Sequence, residues 1–252
     1  MPNAQCPSPP PLPLVSVAQV TDGDTLRLAD GKRVRLIGIN APEVASKDRP
    51  AQPYAMAAKR RLQALIAAAG GQVILVPGAQ SKDRYGRSLA NAYTSDGENL
   101  EARLLQEGLA YRVVIPPNDA LRDCHAHAEQ GARSAQVGLW EGFKATPAAA
   151  VKRSGFQVVR GTLVKVEANS GGLWLTLQGG VVLHVARGSQ PEFSVESLRK
   201  LHGRAVEARG WVIDRGRRSG RQADRPRWLL PLTAPGMLQA LPSEAKVVGA
   251  TP

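Results

Sequence analysis

Apolar and polar side chains alternate along two short stretches near the start of the chain, residues 25–29 and 32–37. A period of two is typical of β-strands that bury one face. The dipeptide Asp30-Gly31 stands between the stretches and favours a tight hairpin turn. The pattern therefore predicts an antiparallel hairpin, in which Asp24 lies level with residues 35–38 of the facing strand.

Further helices and strands are predicted over the next hundred residues. Strong helix formers fill residues 53–69, where one face can hold Met56, Leu62, Leu65, Ile66 and Ala69. Apolar runs bounded by turn residues predict strands at 73–76 and 88–94. Helical patterns follow at residues 99–106 and 118–135. A polar loop is expected between the two strands.

The second half of the chain has a different pattern, with short strand-like runs and glycine-rich turns. The runs are residues 158–166, 173–177, 181–185, 205–213 and 228–232. A helix is predicted at residues 194–201, between the third and fourth runs. Five short strands in this arrangement favour a small antiparallel barrel, and the pattern resembles an OB-like fold.

Composition limits the classes of partner. The chain has 252 residues, 43% of them hydrophobic, a formal charge of +12 and a pI near 10.3. This length and apolar content suit one or two globular domains. The excess positive charge favours a polyanionic partner, either nucleic acid or an anionic membrane surface. No segment approaches about 20 uncharged apolar residues, so membrane insertion is not expected. No segment points to an obligate protein partner.

The hairpin carries residues suited to phosphodiester chemistry. Asp24 and Asn40 offer oxygen ligands of the kind that hard divalent cations prefer. Arg35 can face a phosphate, and Glu43 can orient or deprotonate a water. A second phosphate-suited cluster lies downstream and contains Lys82, Asp83, Arg84, Tyr85 and Arg87. Hairpin geometry is expected to gather the first group at one rim.

Four motifs in order carry a family resemblance. They are DGDT at 22–25, R-x4-N-A-P-E at 35–43, DRYGR at 83–87 and LLQEGLA at 104–110. With these motifs the stretch of about residues 14–140 resembles the staphylococcal-nuclease-like, or thermonuclease, domains. The resemblance implies an OB-like five-stranded β-barrel with packed helices. With the second small antiparallel barrel that the later strand pattern predicts, an α+β chain is expected.

The resemblance also implies roles for single residues. Arg35 and Arg87 would contact the scissile phosphate, and Glu43 would act on the attacking water. Asp24, Asn40 and the carbonyl of Ala41 would hold calcium. The activity implied is cleavage of DNA and RNA with little sequence preference, leaving a 3′-phosphate and a 5′-hydroxyl.

Two departures from the family pattern change these expectations. Asn40 stands where the pattern has a second aspartate, so the site loses one negative charge and weaker or altered metal binding is expected. The family's phosphate-contacting tyrosine also has no clean equivalent, because Tyr111 is out of register and Val114 stands nearer the matching position. A non-catalytic nucleic-acid-binding module is therefore the alternative to a nuclease, and an adaptor that binds anionic partners by charge alone is a third hypothesis.

The predicted domains follow from these patterns. They are a Pro-rich arm at 1–13, a nuclease-like domain at 14–144, a linker at 145–154, an OB-like domain at 155–241 that is expected to bind nucleic acid, and a tail at 242–252. Residues 214–227 form an arginine-rich loop in the second domain, including Arg215, Arg217, Arg218 and Arg221. This loop is either a solvated surface segment or a clamp for a phosphate backbone. Trp211 and Trp228 flank it and could stack on bases or pack in the core.

The two cysteines bear on the compartment. Cys6 and Cys124 are compatible with one disulfide that pins the arm to the body, and two unrelated thiols remain the alternative. A disulfide would indicate an oxidising compartment, so a secreted or periplasmic location is expected, with a cytoplasmic one left open. The arm has no signal-peptide pattern and is expected to begin a mature chain. Cys124, His125 and His127 cluster on one predicted helix and suggest a zinc site, although a single short helix offers few ligands at poor angles.

Overall fold

The computed structural model describes residues 6–216 and 226–242. The chain divides into two compact units, residues 1–143 and 144–252. Within the described ranges, no helix has both the length and the apolar character needed to cross a bilayer.

The first unit contains seven strands and three α-helices in its described part. The strands are β1 (Leu14–Asp22), β2 (Thr25–Leu28), β3 (Arg33–Leu36), β4 (Ile39–Asn40), β5 (Gln72–Lys82), β6 (Ser88–Tyr93) and β7 (Tyr111–Arg112). The helices are α1 (Ala55–Ala68), α2 (Leu100–Gln106) and α3 (Arg122–Ala135).

Five of these strands close into a barrel in the order β1-β2-β3-β6-β5. The β3–β6 pair is parallel, and the other pairs are antiparallel. The predicted hairpin is confirmed, because Thr25 pairs with Arg35 and Gly31 turns the chain with a φ of 84°. Inward positions alternate with outward ones, so that Leu26, Val34 and Leu36 lie in the core while Arg27 and Arg33 are exposed.

Helix α1 packs its apolar stripe against the barrel. Leu62, Leu65 and Ile66 are buried, as the pattern predicted. The prediction was wrong for Met56, whose side chain is 43% exposed. Ala55 is the buried residue of that first turn, since the buried positions run through 55, 58 and 62 and leave position 56 about 100° away from them.

The second unit consists of seven strands and one short α-helix among its described residues. The strands are β8 (Thr146–Pro147), β9 (Gly155–Asn169), β10 (Gly172–Leu177), β11 (Val181–Ala186), β12 (Ala205–Asp214), β13 (Trp228–Pro231) and β14 (Leu238–Ala240). The helix is α4 (Val195–Arg199).

These strands also close into a five-stranded barrel. The order β12-β13-β11-β10-β9 is completed by pairing of β12 with β9. The β11–β13 pair is parallel, as in the equivalent position of the first barrel. Two OB-like barrels with packed helices confirm the predicted α+β class.

Three features of the fold were not expected from the sequence. The pair β4–β7 was not predicted, and β5 continues to Lys82 through a stretch expected to be a loop. Within the expected linker, β8 pairs with β9 of the second barrel, so residues 146 and 147 belong to that sheet. The proposed domain boundaries remain predictions.

Candidate active site

The turn between β1 and β2 places Asp24 at the rim of the first barrel. The Asp22 carboxylate accepts a hydrogen bond from the Asp24 backbone N–H at 3.0 Å and shapes the turn. Gly23 allows close packing, because a Cβ there would lie 2.7 Å from the Cβ atoms of both Ala41 and Ala58. The absence of a side chain at Gly23 therefore lets Asp24 approach the segment that follows β4.

Asp24, Arg35, Asn40 and Ala41 meet in one cluster. The Oδ2 atom of Asp24 accepts a hydrogen bond from the Ala41 backbone N–H at 2.7 Å and forms an ion pair with Arg35 Nη2 at 2.9 Å. The same Nη2 lies 3.4 Å from Asn40 Oδ1 and donates to the Ile39 carbonyl at 3.0 Å. The structure thus brings together residues that lie up to 17 positions apart in the sequence.

The electrostatics of Asp24 follow from its position. Its side chain is almost fully buried, and burial raises its pKa to about 7. The Arg35 guanidinium opposes that rise, while the charge of Asp22 adds to it. Asp22 was not among the residues predicted for the site, although its place in the DGDT motif was the available signal.

A buried polar network near Arg35 was not predicted from the sequence. Glu101 is fully buried and accepts hydrogen bonds from the Ala92 N–H and from Asn99 Nδ2. Burial raises the pKa of Glu101 to about 8, although the charge of Arg35 acts in the other direction. Asn99 caps α2 and its Oδ1 lies 3.2 Å from His125 Nε2. Two carboxyl groups therefore act on the Arg35 guanidinium from within the fold.

Helix α3 and strand β7 position the segment from Gly38 to Asn40. The His125 ring lies directly over Gly38, whose φ of 81° and lack of a Cβ permit the contact. The Gly38 carbonyl accepts a hydrogen bond from the Val113 N–H at 3.0 Å, and Asn40 pairs with Tyr111. The Tyr111 ring packs edge-on against Trp140, with ring centroids 5.4 Å apart. Tyr111 thus contributes to an aromatic cluster, and Val114 is buried.

The Asp83 side chain organises the second cluster. Its Oδ1 accepts from the backbone N–H groups of Tyr85 and Arg87, and its Oδ2 accepts from Arg87 Nε at 2.7 Å. Burial alone would raise the pKa of Asp83, but these hydrogen bonds outweigh it and the pKa is lowered. Arg87 is held at Nε, and in the described ranges its two Nη groups have no hydrogen-bond partner.

The neighbours of Arg87 face solvent. Lys82 and Arg84 are exposed, and the Tyr85 ring is 61% exposed. Arg84 donates to the Tyr85 hydroxyl at 2.7 Å, with its guanidinium carbon 4.8 Å from the ring centroid. The three side chains lie on an open surface next to Arg87, where a polyanion could reach them.

Glu43 lies beyond the cluster formed by Asp24 and Arg35. Its backbone is fixed, because its N–H donates to Gln52 Oε1 at 2.9 Å and its carbonyl accepts from the Gln52 N–H. Its side chain is exposed, and across residues 6–216 and 226–242 no hydrogen bond or ion pair joins its carboxylate to another side chain. The structure therefore leaves this carboxylate accessible to water and does not bring it into contact with Arg35.

Sequence comparisons identify relatives of the first unit. The family model described as staphylococcal nuclease homologue matches residues 33–142. A thermonuclease of Staphylococcus intermedius is 38% identical over 128 residues, covering 50% of this chain and 74% of that protein. The chain belongs to the staphylococcal nuclease family. The resemblance drawn from the four motifs is thereby confirmed.

Other relatives cover a similar share of the chain. A thermonuclease of Staphylococcus hyicus is 34% identical over 131 residues, which are 49% of this chain and 73% of that protein. An uncharacterized endonuclease of Escherichia coli is 30% identical over 134 residues, which are 52% of this chain and 79% of that protein. The match to the family model ends at residue 142, before the strands of the second barrel.

The oxygen atoms of this nuclease homologue fit a hard divalent cation. The cluster contains the Asp24 carboxylate and Asn40 Oδ1, with the Ala41 backbone adjoining them, and oxygen donors are the ligands that Ca²⁺ takes in proteins. The Arg35 guanidinium lies between Asp24 and Asn40 and shows that both side chains face a cationic group. The donor set carries one carboxylate charge at these positions, since Asn40 is neutral.

The zinc hypothesis on α3 of the nuclease homologue finds little support. Cys6 and Cys124 are joined in a disulfide, with their Cα atoms 5.2 Å apart, so neither sulfur is a thiolate in this state. His125 is buried against Gly38 and Asn99, and burial lowers its pKa to about 4. His127 Nδ1 is hydrogen-bonded to the Asp123 carbonyl. Cys6, Cys124 and His125 lie close together, and their observed contacts are the disulfide and the packing of His125 against its neighbours.

The arginine-rich loop is described only at its two ends. Arg217, Arg218 and Arg221 lie outside the described residues. The Arg215 N–H donates to the Arg227 carbonyl at 2.8 Å, and Arg227 binds the Asp214 carboxylate through Nε and Nη2. Trp228 is 8% exposed and therefore belongs mainly to the core, whereas Trp211 is 38% exposed.

Proposed function

We propose that the first unit is a metal-dependent nuclease that hydrolyses phosphodiester bonds of DNA and RNA with little sequence preference, with calcium as the metal. One observation carries the proposal: Asp24, Arg35, Asn40 and Ala41 form a single cluster in which oxygen ligands and a guanidinium adjoin. The nuclease and endonuclease names of the relatives support the reaction class.

In this mechanism, calcium would be held by Asp24, Asn40 and the Ala41 carbonyl, and would supply positive charge beside a non-bridging phosphate oxygen. Arg35 is fixed through the Leu36 and Ile39 carbonyls, so its orientation is set before substrate arrives. Arg87 is fixed at Nε by Asp83, which leaves its Nη pair for bidentate contact with the phosphate.

Glu43 is the base in the proposed mechanism. Its exposed carboxylate can take a proton from a water molecule that attacks phosphorus in line with the leaving 5′ oxygen. The attacking oxygen becomes part of the 3′-phosphate as the bond from phosphorus to the 5′ oxygen breaks, and the leaving oxygen takes a proton from water to become a 5′-hydroxyl. Arg35 and Arg87 stabilise the extra negative charge of the transition state.

We further propose that the second unit binds the nucleic-acid strand. Residues 144–252 hold 17 Lys and Arg against 7 Asp and Glu, so this unit carries +10 of the formal charge of +12. Neutralising Arg217, Arg218 and Arg221 together should lower the salt dependence of binding, because each phosphate contact releases counterions. An unchanged slope of binding affinity against salt concentration would show that the loop is a solvated surface.

The function is tested by a cleavage assay on single-stranded DNA. Cleavage is expected with calcium, and none is expected with EDTA. Glu43→Gln should lower the rate about 10²- to 10⁴-fold, the usual contribution of a general base. Glu192→Gln, an exposed carboxylate of the second unit, is the matched control and should retain the parent rate. Cleavage that survives both EDTA and Glu43→Gln would overturn the proposal.

The non-catalytic alternative rests on Asn40, because the cluster has lost one carboxylate charge. It makes a different prediction in the same assay. A binding module would retain DNA on the protein and leave the strand intact at every calcium concentration. Cleavage appearing in Asn40→Asp alone would show a nuclease fold whose turnover had been lost through this residue.

The disulfide supports a proposal about the compartment. Cys6 and Cys124 are bonded, and such bonds persist mainly in oxidising environments. We therefore propose a secreted or periplasmic location. Mass spectrometry of protein from its native host under non-reducing conditions tests this, and two free thiols would contradict it.

A further inference from the structure

Two exposed arginines lie opposite each other next to the proposed active site. Arg27 of β2 pairs with Arg33 of β3, and the side chains of both are exposed. Like charges in directly opposed positions destabilise a sheet, so such a pair is not what folding alone favours. Neither arginine is one of the proposed catalytic residues.

The two side chains are close because of the hydrogen-bond pattern of the hairpin. Leu28 N–H bonds to the Lys32 carbonyl and Leu36 N–H bonds to the Asp24 carbonyl, each at 2.9 Å. Hydrogen-bonded and non-hydrogen-bonded pairs alternate along an antiparallel ladder, which makes Arg27–Arg33 a non-hydrogen-bonded pair. Cα atoms in such pairs are about 4.5 Å apart, and the side chains lie side by side.

This arginine pair lies on the same face as the proposed catalytic arginine. Thr25 pairs with Arg35 two residues further along, and the intervening Leu26 and Val34 point into the core. Two strand residues span about 6.6 Å. The pair therefore lies one such step from the Thr25–Arg35 pair, on the outer face of the sheet.

The adjacent strand extends the basic surface. Arg33 and Arg87 immediately precede Val34 and Ser88, which are paired in the parallel β3–β6 ladder. Residues in register on parallel neighbours are directed to the same face. Arg33 is thus placed between Arg27 on one side and Arg87 on the other.

Neither Arg27 nor Arg33 has an acidic partner within 4 Å in the described ranges. The nearby acid of the hairpin turn, Asp30, is paired with Lys32 at 2.7 Å. Two forked guanidinium groups without a carboxylate suit a phosphate group, which accepts several charge-assisted hydrogen bonds. The binding of an anion would also relieve the repulsion within the pair.

We propose that Arg27 and Arg33 form a subsite for the phosphate that neighbours the scissile phosphate on the bound strand. This inference rests on the proposed function, because it places the scissile phosphate at Arg35 and Arg87. The ligand is the sugar-phosphate backbone of a polynucleotide with at least two consecutive phosphates. A substrate with one phosphate cannot occupy both positions, so the subsite favours polymers over single diesters.

The test compares two substrates with a double variant. Arg27→Gln/Arg33→Gln should raise KM for a single-stranded 12-mer about tenfold at about 0.1 M salt, leave kcat unchanged, and lower the slope of log affinity against log salt by about 1.4. Its kcat/KM for thymidine 3′-(4-nitrophenyl phosphate), which has one phosphate, should stay within about twofold of the parent.

The matched control removes two charges from α1 of the same unit. Lys59→Gln/Arg60→Gln should leave KM for the 12-mer and the salt slope within the error of the parent values. Arg27→Lys/Arg33→Lys keeps the charge and loses the fork, so an intermediate KM is expected. Equal effects of the Gln pair and the α1 control on the 12-mer, or an equal loss on both substrates, would overturn the subsite.

Binding separates this inference from the nuclease proposal. Anisotropy of a labelled 12-mer in EDTA measures affinity without turnover, and the Gln pair should weaken it about tenfold relative to the α1 control. If the chain binds in this way but never cleaves, the subsite stands and the nuclease proposal fails. If it cleaves and the Gln pair binds like the control, the nuclease proposal stands and the subsite fails.

Discussion

The two barrels of this chain have the same topology and very different surfaces. In each, the third and fifth strands pair in parallel and a helix lies between the third and fourth strands. The turns between the first two strands also match, since Asp22 pairs with Thr25 and Asn169 pairs with Gly172. The two turns can therefore be compared residue by residue.

At the positions of the proposed catalytic residues, the second barrel has no functional groups. Gly171 takes the place of Asp24 in the turn, and Ala186 takes the place of Arg35, because it pairs with Gly172 as Arg35 pairs with Thr25. The second barrel lacks both the metal oxygen and the guanidinium at these positions. The fold alone therefore does not provide the chemistry, which depends on the side chains at the first turn and the third strand.

The proposed phosphate subsite differs in the same way. Where the first barrel has Arg27 opposite Arg33, the second has Trp174 opposite His184. These two rings stack with centroids 4.0 Å apart, and Trp174 Nε1 donates to Asn169 Oδ1 at 2.9 Å. Local charge at this rim thus belongs to the first barrel, although the second unit carries most of the chain's net charge.

The largest expected effect is the loss of Arg35. Arg35→Gln should lower kcat/KM on single-stranded DNA about 10³-fold, because the transition-state charge loses its fixed guanidinium. Arg204→Gln, an exposed arginine of the second unit, is the control and should lower it less than tenfold. Circular dichroism confirms folding of both. A rate for Arg35→Gln within tenfold of the parent would remove the distinction between the barrels.

The disulfide should stabilise the first barrel without the second. Replacing both Cys6 and Cys124 by Ser should lower the free energy of unfolding of the first unit by about 2–4 kcal/mol, because the bond closes a long loop. Differential scanning calorimetry can follow each unit's transition. An unchanged first transition, or an equal shift in both, would contradict this expectation.

The contribution of His125 to the stability of the first barrel should fall in acid. It is measured as the difference between the parent and His125→Gln, because the raised pKa values of Asp24 and Glu101 act in the opposite direction in both proteins. Burial lowers the pKa of His125 to about 4, whereas an unfolded histidine has a pKa near 6.5. At this histidine, protons bind the unfolded chain first, so its contribution to stability is full above pH 6.5 and falls as the pH drops towards 4. The loss should be roughly 2–3 kcal/mol in urea unfolding, and His125→Gln should remove it. The exposed His127→Gln is the control and should keep the parent slope.

The smallest expected effect concerns Asn40. Asn40→Asp returns a carboxylate to the cluster and should tighten calcium binding about tenfold in isothermal titration calorimetry, since the ligand charge rises. Asn169→Asp adds the same charge at the first turn of the second barrel and should leave the affinity unchanged. Equal gains from both variants would mean that the added charge acts from a distance.

Local patterns predicted much of the fold. Alternation predicted the hairpin of β2 and β3, and short strand-like runs between glycine-rich turns predicted the five strands of the second barrel. The pair β4–β7 escaped notice, since two-residue strands have no period. Met56 was wrongly assigned to the buried face of α1, because the sequence of the first helical turn allows more than one position to lie next to the apolar stripe.

The candidate site was predicted in part. Motifs identified Asp24, Arg35 and Asn40, whose contacts the structure shows. The Glu101–Asn99–His125 network was not predicted, because His125 lies 26 residues from Asn99 and the contact depends on the packing of α3. Glu101 also lies in the first turn of the short helix α2, where an acidic residue is normally expected to face solvent near the positive end of the helix dipole.

A structure of crystals soaked in Mn²⁺ or Ca²⁺ tests the central claim most directly, because the ion's position can be read from anomalous scattering. The account predicts one peak about 2.1–2.6 Å from carboxylate, amide and carbonyl oxygens of Asp24, Asn40 and Ala41. It also predicts that Arg35 keeps its hydrogen bonds to the Leu36 and Ile39 carbonyls and loses only its contact with Asn40 Oδ1. A peak elsewhere on the chain, with the Arg35 guanidinium still between Asp24 and Asn40, would contradict it.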